Sequence, residues 1–322
     1  MAPPRATLLD HAFALRPLLW IPAIALFEAG RAEAGGAALP PWAALPPLLS
    51  LLGMLGAVHV ANGWRDRAGD RLNRKGGAVA SGAIGAPALL AIAATALALA
   101  ALAALLSPAT PAVRLSLLAS LLLGLAYVAP PLEAKRRPVF DLAAQALGYG
   151  VCAFLLGAHA SAEAGGGWAW IRVAVPYALG VAAVGVVTML ADREGDERAG
   201  QRTTAVALGE RRSAALALAL ALLTAGAGLA EGRWAPALWG LLAAAWLGLG
   251  EPRRAWNRVA VGLQLAFLIL LAPRTPMPVA AALALGAAAA LYDRSRGGAG
   301  YPIRGAGVGS EMEPTAETPV SG

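Results

Sequence analysis

A chain of 322 residues that is 58% hydrophobic and only 14% charged departs far from the roughly 25% charge of soluble domains. Such a composition excludes an ordinary soluble enzyme and places the protein in lipid. The net charge of +7 does not mark a nucleic-acid binder, because the basic residues are spread between apolar runs rather than gathered in one patch.

Ten apolar runs follow one another along the chain: 12–29, 46–61, 83–106, 112–128, 139–159, 168–191, 214–230, 235–250, 259–272 and 278–292. A helical span takes about 17–25 residues. The last three runs are short, so the expected fold is all-α, a polytopic membrane bundle of nine or ten transmembrane helices. A closed β-barrel would show alternating segments of about ten residues, whereas these are continuous Ala/Leu stretches. The first run contains Arg16 and Pro17 and leads into no soluble mature domain, so it is not read as a signal peptide. Residues 1–292 are expected to form one membrane domain, and 293–322 a polar, disordered cytoplasmic tail.

With the connections numbered alternately from an inside N-terminus, 21 of the 26 Lys and Arg fall inside. The five outside are Arg31, Arg114, Arg172, Arg233 and Arg274. The bias predicts a cytoplasmic N-terminus in a cell inner (plasma) membrane. The lone Cys152 lies in an apolar run and reads as a small hydrophobe.

Two inside connections resemble each other. Asp66-Arg67-Ala68-Gly69-Asp70 matches Asp192-Arg193-Glu194-Gly195-Asp196. The first is followed by Ala78-Val79-Ala80-Ser81-Gly82, the second by Ala205-Val206-Ala207-Leu208-Gly209. Four spans separate the motifs, which puts both on one side of the membrane. The pattern reads as a parallel duplication, two related halves with a site between them.

Residues four apart share a helix face. Asn62, Asp66 and Asp70 therefore form one acidic stripe, and Asp192 with Asp196 another. Like charges at this spacing destabilise a helix by about 0.2–0.5 kcal/mol per pair. A carboxylate at mid-bilayer costs about 2.5–3.5 kcal/mol. A divalent cation offsets both, and oxygen-only ligands suit Mg²⁺, which takes one or two carboxylates and completes its shell with water and phosphate. The stripes thus point to a metal-bridged diphosphate on a lipid. The bland reading is a pair of solvated loops in which Arg67, Arg71 and Arg193 neutralise the acids. Two matching copies at the ends of related spans weigh against it.

A third inside connection reads AYVAPPLEAKRRP, residues 126–138. Pro130 and Pro131 end the fourth helix. Lys135, Arg136 and Arg137 serve either as a membrane anchor or, beside two acidic stripes, as diphosphate ligands. His11, His59 and His159 show no metal-binding spacing. His59, three residues before Asn62, faces the same side and reads as a packed or hydrogen-bonded residue.

These segments together resemble the UbiA family of membrane prenyltransferases. Asn62, Asp66 and Asp70 match its Asn-x-x-x-Asp-x-x-x-Asp motif, and Asp192 and Asp196 its second Asp-x-x-x-Asp motif. The stretch DREGDERAGQRTTAVALG is similar to the family's DxEGDxxxGxxTxxVxLG, and Tyr127 with Pro130, Pro131, Leu132 and Lys135 to its YSxPPLxxK segment. Arg16-Pro17 and Asn257 also fit. Two positions depart: Gly63 stands where many members have aspartate, and Gly77 where the family's RPIPSG segment has arginine.

The resemblance implies prenyl transfer from an allylic diphosphate to a hydrophobic or aromatic acceptor, with Mg²⁺ as cofactor. It implies metal binding by Asp66, Asp70, Asp192 and Asp196 with Asn62 assisting, and a place for Tyr127 at the reaction centre. Lys75, Lys135, Arg136 and Arg16 would bind substrate. Lys75 or Arg74 would replace the arginine missing at Gly77. The PPLxxK and DxEGD forms resemble the homogentisate, chlorophyll and archaeal-lipid branches more than the 4-hydroxybenzoate branch. Three alternatives differ in class. A transporter would place acids nearer the midplane. A CDP-alcohol phosphotransferase would carry DGxxAR, which the chain lacks. A UbiA-like scaffold without activity would release no diphosphate.

Overall fold

The computed structural model describes residues 6–35, 41–72, 77–107, 110–161, 167, 169–249 and 256–295. Regular structure among them is entirely helical: α1 (Leu8–Ala14), α2 (Ile21–Glu33), α3 (Pro41–Leu72), α4 (Gly77–Ser81), α5 (Ala86–Leu106), α6 (Pro111–Val128), α7 (Phe140–Gln145), α8 (Phe154–His159), α9 (Ala169–Arg198), α10 (Thr204–Ala230), α11 (Trp234–Gly248), α12 (Trp256–Leu271) and α13 (Met277–Ser295). A 3₁₀ turn (Pro17–Trp20) joins α1 to α2, another covers Ala134–Arg136, and a π-helical segment (Ala146–Ala153) joins α7 to α8.

Among the described residues each of the ten apolar runs is mainly helical. Seven helical stretches are long and apolar enough to cross a membrane, the first being Leu8–Glu33 and the fifth Phe140–His159. α11 and α12 are shorter apolar helices, and α13 has 19 residues ending in Asp293, Arg294 and Ser295. Leu90, Leu105, Leu106, Leu115 and Ile269 are more than 60% exposed. So much bare apolar surface is stable only in lipid, and the protein is an integral membrane protein.

The motif helices are the longest. α3 has 32 residues and α9 has 30. At 1.5 Å per residue they run about 45–48 Å, well beyond a hydrocarbon core of about 30 Å. Their last turns carry the acidic motifs. The apolar core lies where α2, α3, α8 and α9 cross, around Leu26, Phe27, Leu51, Phe154 and Tyr177. Gly30 and Gly157 let α2 and α8 pass backbone to backbone. A Cβ on either would overlap the carbonyl of Phe154 or Phe27, the close approach that small residues allow in membrane bundles.

The duplication read from the sequence recurs in backbone geometry. After each motif comes a short helical turn that ends on a glycine with positive φ, Gly82 at 81° and Gly209 at 72°. A side chain is strained in that region, so glycine closes both copies. In the first copy a separate helix, α5, follows; in the second the chain kinks within α10 at Gly209 and continues as a span.

Candidate active site

The two acidic motifs meet at one end of the bundle. α3 and α9 pack together. A Cβ on Gly69, inside the first motif, would lie 3.3 Å from the Gln201 side chain and 3.4 Å from Ala199, just past the second.

The Lys135 loop closes over the first motif. After α6 the chain reaches Glu133, whose left-handed backbone (φ 43°, ψ 51°) turns it back toward α3. Lys135 is then 4% exposed. Its ammonium donates to Asn62 Oδ1 at 2.8 Å and to Asp66 Oδ1 at 2.6 Å. Burial pulls the Lys135 pKa down, and the charge and hydrogen bond of Asp66 oppose that pull. Arg136 lies 3.9 Å from Asp66 and 3.4 Å from Glu133, and Arg65 donates to Glu133 at 2.5 Å. One chain of alternating charges thus runs from Arg65 through Glu133 and Arg136 to Asp66 and Lys135.

Asp141 ties this loop to the second motif. Its carboxylate accepts from the Thr204 backbone N–H at 2.6 Å and from the Thr204 hydroxyl. The Thr204 oxygen in turn accepts from the Val139 backbone N–H at 2.7 Å. The start of α10, just beyond the second motif, is thereby fastened to the segment that follows Lys135. Reading the motifs alone passed over Asp141. The available signal was an aspartate at the mouth of an apolar span, a placement that needs a partner.

Arg16 reaches the other end of the first motif. It adopts a left-handed backbone (φ 52°, ψ 58°) ahead of Pro17, where α1 ends. Its guanidinium donates to Asp70 Oδ2 at 2.5 Å. It also lies over Gly63, where a Cβ would come 3.4 Å from Nη2. The glycine that departs from the family pattern is therefore the surface on which Arg16 rests.

The arginines within the motifs have other contacts. Arg67 stacks on Trp64 at 4.2 Å, Arg71 donates to the Ala80 carbonyl, and Arg193 lies 3.4 Å from Glu197. Lys135 on Asp66 and Arg16 on Asp70 come instead from distant segments. Asp192 and Asp196 sit half-buried on the last turns of α9. Tyr127 is partly buried at the end of α6, which packs on the π-helical segment. Asn257 is exposed near the start of α12. Arg74 and Lys75 lie outside the described residues.

The donor set is all oxygen: two carboxylates and an amide on α3, two carboxylates on α9. Among the described residues no three His, Cys, Asp or Glu gather closely enough to enclose a metal ion. An all-oxygen donor set suits a small hard cation, which takes one or two carboxylates and leaves the rest of its shell to water and phosphate.

Comparison with known proteins agrees with this architecture. No curated protein sequence matches the chain. Among solved structures, a UbiA homolog from Archaeoglobus fulgidus bound to GPP and Mg²⁺ aligns with a TM-score of 0.65 at 19% identity, over 82% of this chain and 99% of the other. The same homolog bound to Cd²⁺ aligns at 0.63 and 18% identity, over 82% and 99% of the two chains. A digeranylgeranylglyceryl phosphate synthase aligns at 0.60 and 16% identity, over 85% and 98%. At such identities these structures speak for the fold. The sequence model of the UbiA prenyltransferase family matches residues 19–258, three-quarters of the chain with both acidic motifs inside, and the protein belongs to that family.

Proposed function

We propose that the protein transfers a prenyl group from an allylic (poly)prenyl diphosphate to an aromatic or other lipid-precursor acceptor. The observation that carries this reading is Lys135, buried between Asn62 and Asp66 where the two acidic motifs converge. The Archaeoglobus homolog bound to GPP or DMAPP with Mg²⁺ supports the same chemistry.

In this reading Asp66, Asp70, Asp192 and Asp196, with Asn62, hold Mg²⁺. The ion supplies charge neutralisation for the departing diphosphate. Lys135, Arg136 and Arg16 each carry two relationships in turn. Without substrate they neutralise Asp66 and Asp70. With substrate their N–H groups would turn to phosphate oxygens, and the carboxylates would be the groups left to hold the cation. A charge-assisted hydrogen bond of this kind contributes about 1.5–3 kcal/mol. Tyr127, at the end of α6, would line the reaction centre. The apolar bundle beneath excludes water from the allylic cation until an acceptor captures it. The transferase unit is residues 1–292, and its motif end faces the cytoplasm, as the arginine distribution implies.

The test is diphosphate release and prenyl-product formation by the purified full chain in lipid nanodiscs, with geranylgeranyl diphosphate and Mg²⁺. The reading expects both products, and their loss with excess EDTA. A folded protein that releases no diphosphate from any allylic donor overturns it. Cysteines placed near Asp70, Lys135 and Arg198 should all label from the cytoplasm, and labelling of any one from the other side overturns the orientation.

A further inference from the structure

One buried polar pair within the bundle has no part in the scheme above. His59 lies on α3 three residues before Asn62 and seven before Asp66, spacings that keep all three on one helix face. Seven residues are about 10 Å along the axis, so the imidazole lies roughly that far below the first acidic motif. It is 8% exposed. Its Nδ1 is 3.3 Å from the Leu15 carbonyl and its Nε2 is 3.0 Å from the Tyr149 hydroxyl.

Each contact has a local origin. Leu15 caps α1, and the chain then passes through left-handed Arg16 into Pro17. The Leu19 N–H turns to the Arg16 carbonyl instead. The Leu15 carbonyl is thus left without the helical donor it would otherwise have, and His59 Nδ1 fills the place. Tyr149 sits in the π-helical segment Ala146–Ala153, the kind of local widening that recurs at functional sites. The next residue, Gly150, packs so closely on Ala178 of α9 that a Cβ would overlap its backbone. That contact presses the segment onto α9 while the Tyr149 ring crosses to α3.

These partners fix the proton positions. A backbone carbonyl only accepts, so Nδ1 carries the hydrogen. In the neutral ring Nε2 is then the acceptor, and the Tyr149 O–H donates to it. The hydroxyl proton is committed to His59, and the oxygen presents its remaining lone-pair capacity elsewhere. Tyr149 is partly buried, and its hydroxyl reaches the face of α3 that carries Asn62 and Asp66.

We infer that Tyr149, oriented by His59, is a positioning residue that accepts a hydrogen bond from a hydroxyl group on the prenyl acceptor. This rests on the prenyl-transfer reading. The diphosphate is held at Asp66 and Lys135, and the acceptor enters beneath it with its hydroxyl on the Tyr149 oxygen. The Leu15–His59–Tyr149 chain fixes the direction of that oxygen, so a hydroxyl donor is recognised and a methyl ether is not.

The test uses the full chain in nanodiscs with geranylgeranyl diphosphate, Mg²⁺ and three hydroxyl-bearing probes: homogentisate, 4-hydroxybenzoate and a monoalkylglycerol phosphate. Tyr149→Phe should raise the KM of whichever acceptor is used by about three- to tenfold, the range of one neutral hydrogen bond. Donor KM and melting temperature should not change. The methyl ether of that acceptor, tested as a competitive inhibitor, should bind wild type and Tyr149→Phe equally. His59→Gln, which keeps a donor for Leu15 but loses the ring geometry, should give a smaller rise in acceptor KM. An unchanged acceptor KM in Tyr149→Phe overturns the inference, as does an equal rise in donor KM. Wild-type transfer only to water or to acceptors without a hydroxyl overturns it too. If wild type releases no diphosphate at all, the transfer reading itself has failed, and this inference with it.

Discussion

At the motif end Asp66 and Asp70 meet Lys135 and Arg16; at the opposite end Glu33 meets Arg233 and Arg274, each at 2.6 Å. The residue types are alike, and the environments are not. The Glu33 side chain is 1% exposed and also accepts from the Tyr177 hydroxyl at 2.8 Å. Its partners come from α9, the turn before α11 and the turn after α12, so one carboxylate joins four segments. Glu28 beside it accepts from Arg31 at 3.1 Å and from the Thr275 hydroxyl at 2.9 Å. The Asp66 and Asp70 side chains each remain 15% exposed, and their cations belong to a 3₁₀ turn and a left-handed hinge. A carboxylate saturated with buried donors works as a clamp. One that keeps an open side and replaceable partners can exchange them for a ligand. Burial and satisfaction, rather than residue type, separate the two.

Substitutions should separate the ends in the same way. Asp66→Ala and Asp192→Ala should each lower prenyl transfer by at least about a hundredfold, the scale on which losing a group that stabilises transition-state charge is felt. The protein should still insert and melt as wild type does. Diphosphate release and a detergent melting curve measure the two sides, and surviving activity in both variants breaks the assignment of the motif end. Glu33→Ala should do the reverse. It leaves the partly buried Arg233 and the exposed Arg274 without their carboxylate and orphans the buried Tyr177 hydroxyl, a loss of about 1–3 kcal/mol. A large drop in melting temperature is expected, with near-normal turnover per folded molecule. A Glu33→Ala protein that melts normally but is inactive would mean that the opposite end is not a clamp.

Next in size is the contrast among cations. Lys135→Ala should raise the donor KM roughly ten- to a hundredfold, the worth of one charge-assisted bond. Lys75→Ala tests whether the first connection adds a second cation in place of the arginine missing at Gly77. If Lys75→Ala changes nothing while Lys135→Ala damages donor binding, the first connection contributes metal ligands alone and the diphosphate is held from the Lys135 loop.

The spans and the acidic stripes were legible because they are periodic. Apolar runs of spanning length and i, i+4 carboxylates leave a mark on consecutive residues, and the repeat doubled it. Lys135 and Arg136 were legible as cations beside the acidic stripes, and Arg16 through family resemblance. Their specific partners, Asp70 for Arg16 and Asn62 with Asp66 for Lys135, depend on left-handed turns at Arg16 and Glu133 that no local pattern announces. The Glu33 clamp was harder still. Its members lie as far as 241 positions apart, and Arg233 and Arg274 had been counted only as exceptions to the charge bias. Those exceptions are paired residues: Arg31 with Glu28, and Arg233 and Arg274 with Glu33. His59 was placed on the correct helix face by its spacing from Asn62, but its partner on the fifth span depends on a π-helical segment that hydrophobic periodicity does not reveal.

The smallest expected effect lies at the rim of the motif end. Arg65 and Glu133 are 33% and 20% exposed, so their pair should contribute only about 0.2–1 kcal/mol. Burial pushes the Glu133 pKa up, but the hydrogen bond from Arg65 and the charges of Arg136, Arg65 and Lys135 outweigh it, and the net shift is down. A carboxyl whose pKa is depressed in the folded state stabilises the fold above its unfolded pKa, and that stabilisation disappears as pH falls through the folded value. Arg65→Ala should therefore lower the melting temperature slightly at neutral pH. The gap to wild type should close in acid, below the ordinary glutamate range. Donor KM should change by no more than about twofold, because Lys135 keeps its own bonds to Asn62 and Asp66. A loss of donor binding as large as that of Lys135→Ala would show instead that Arg65 and Glu133 set the Lys135 loop. The open, exchangeable character of the motif end would then depend on its rim as well as on its buried lysine.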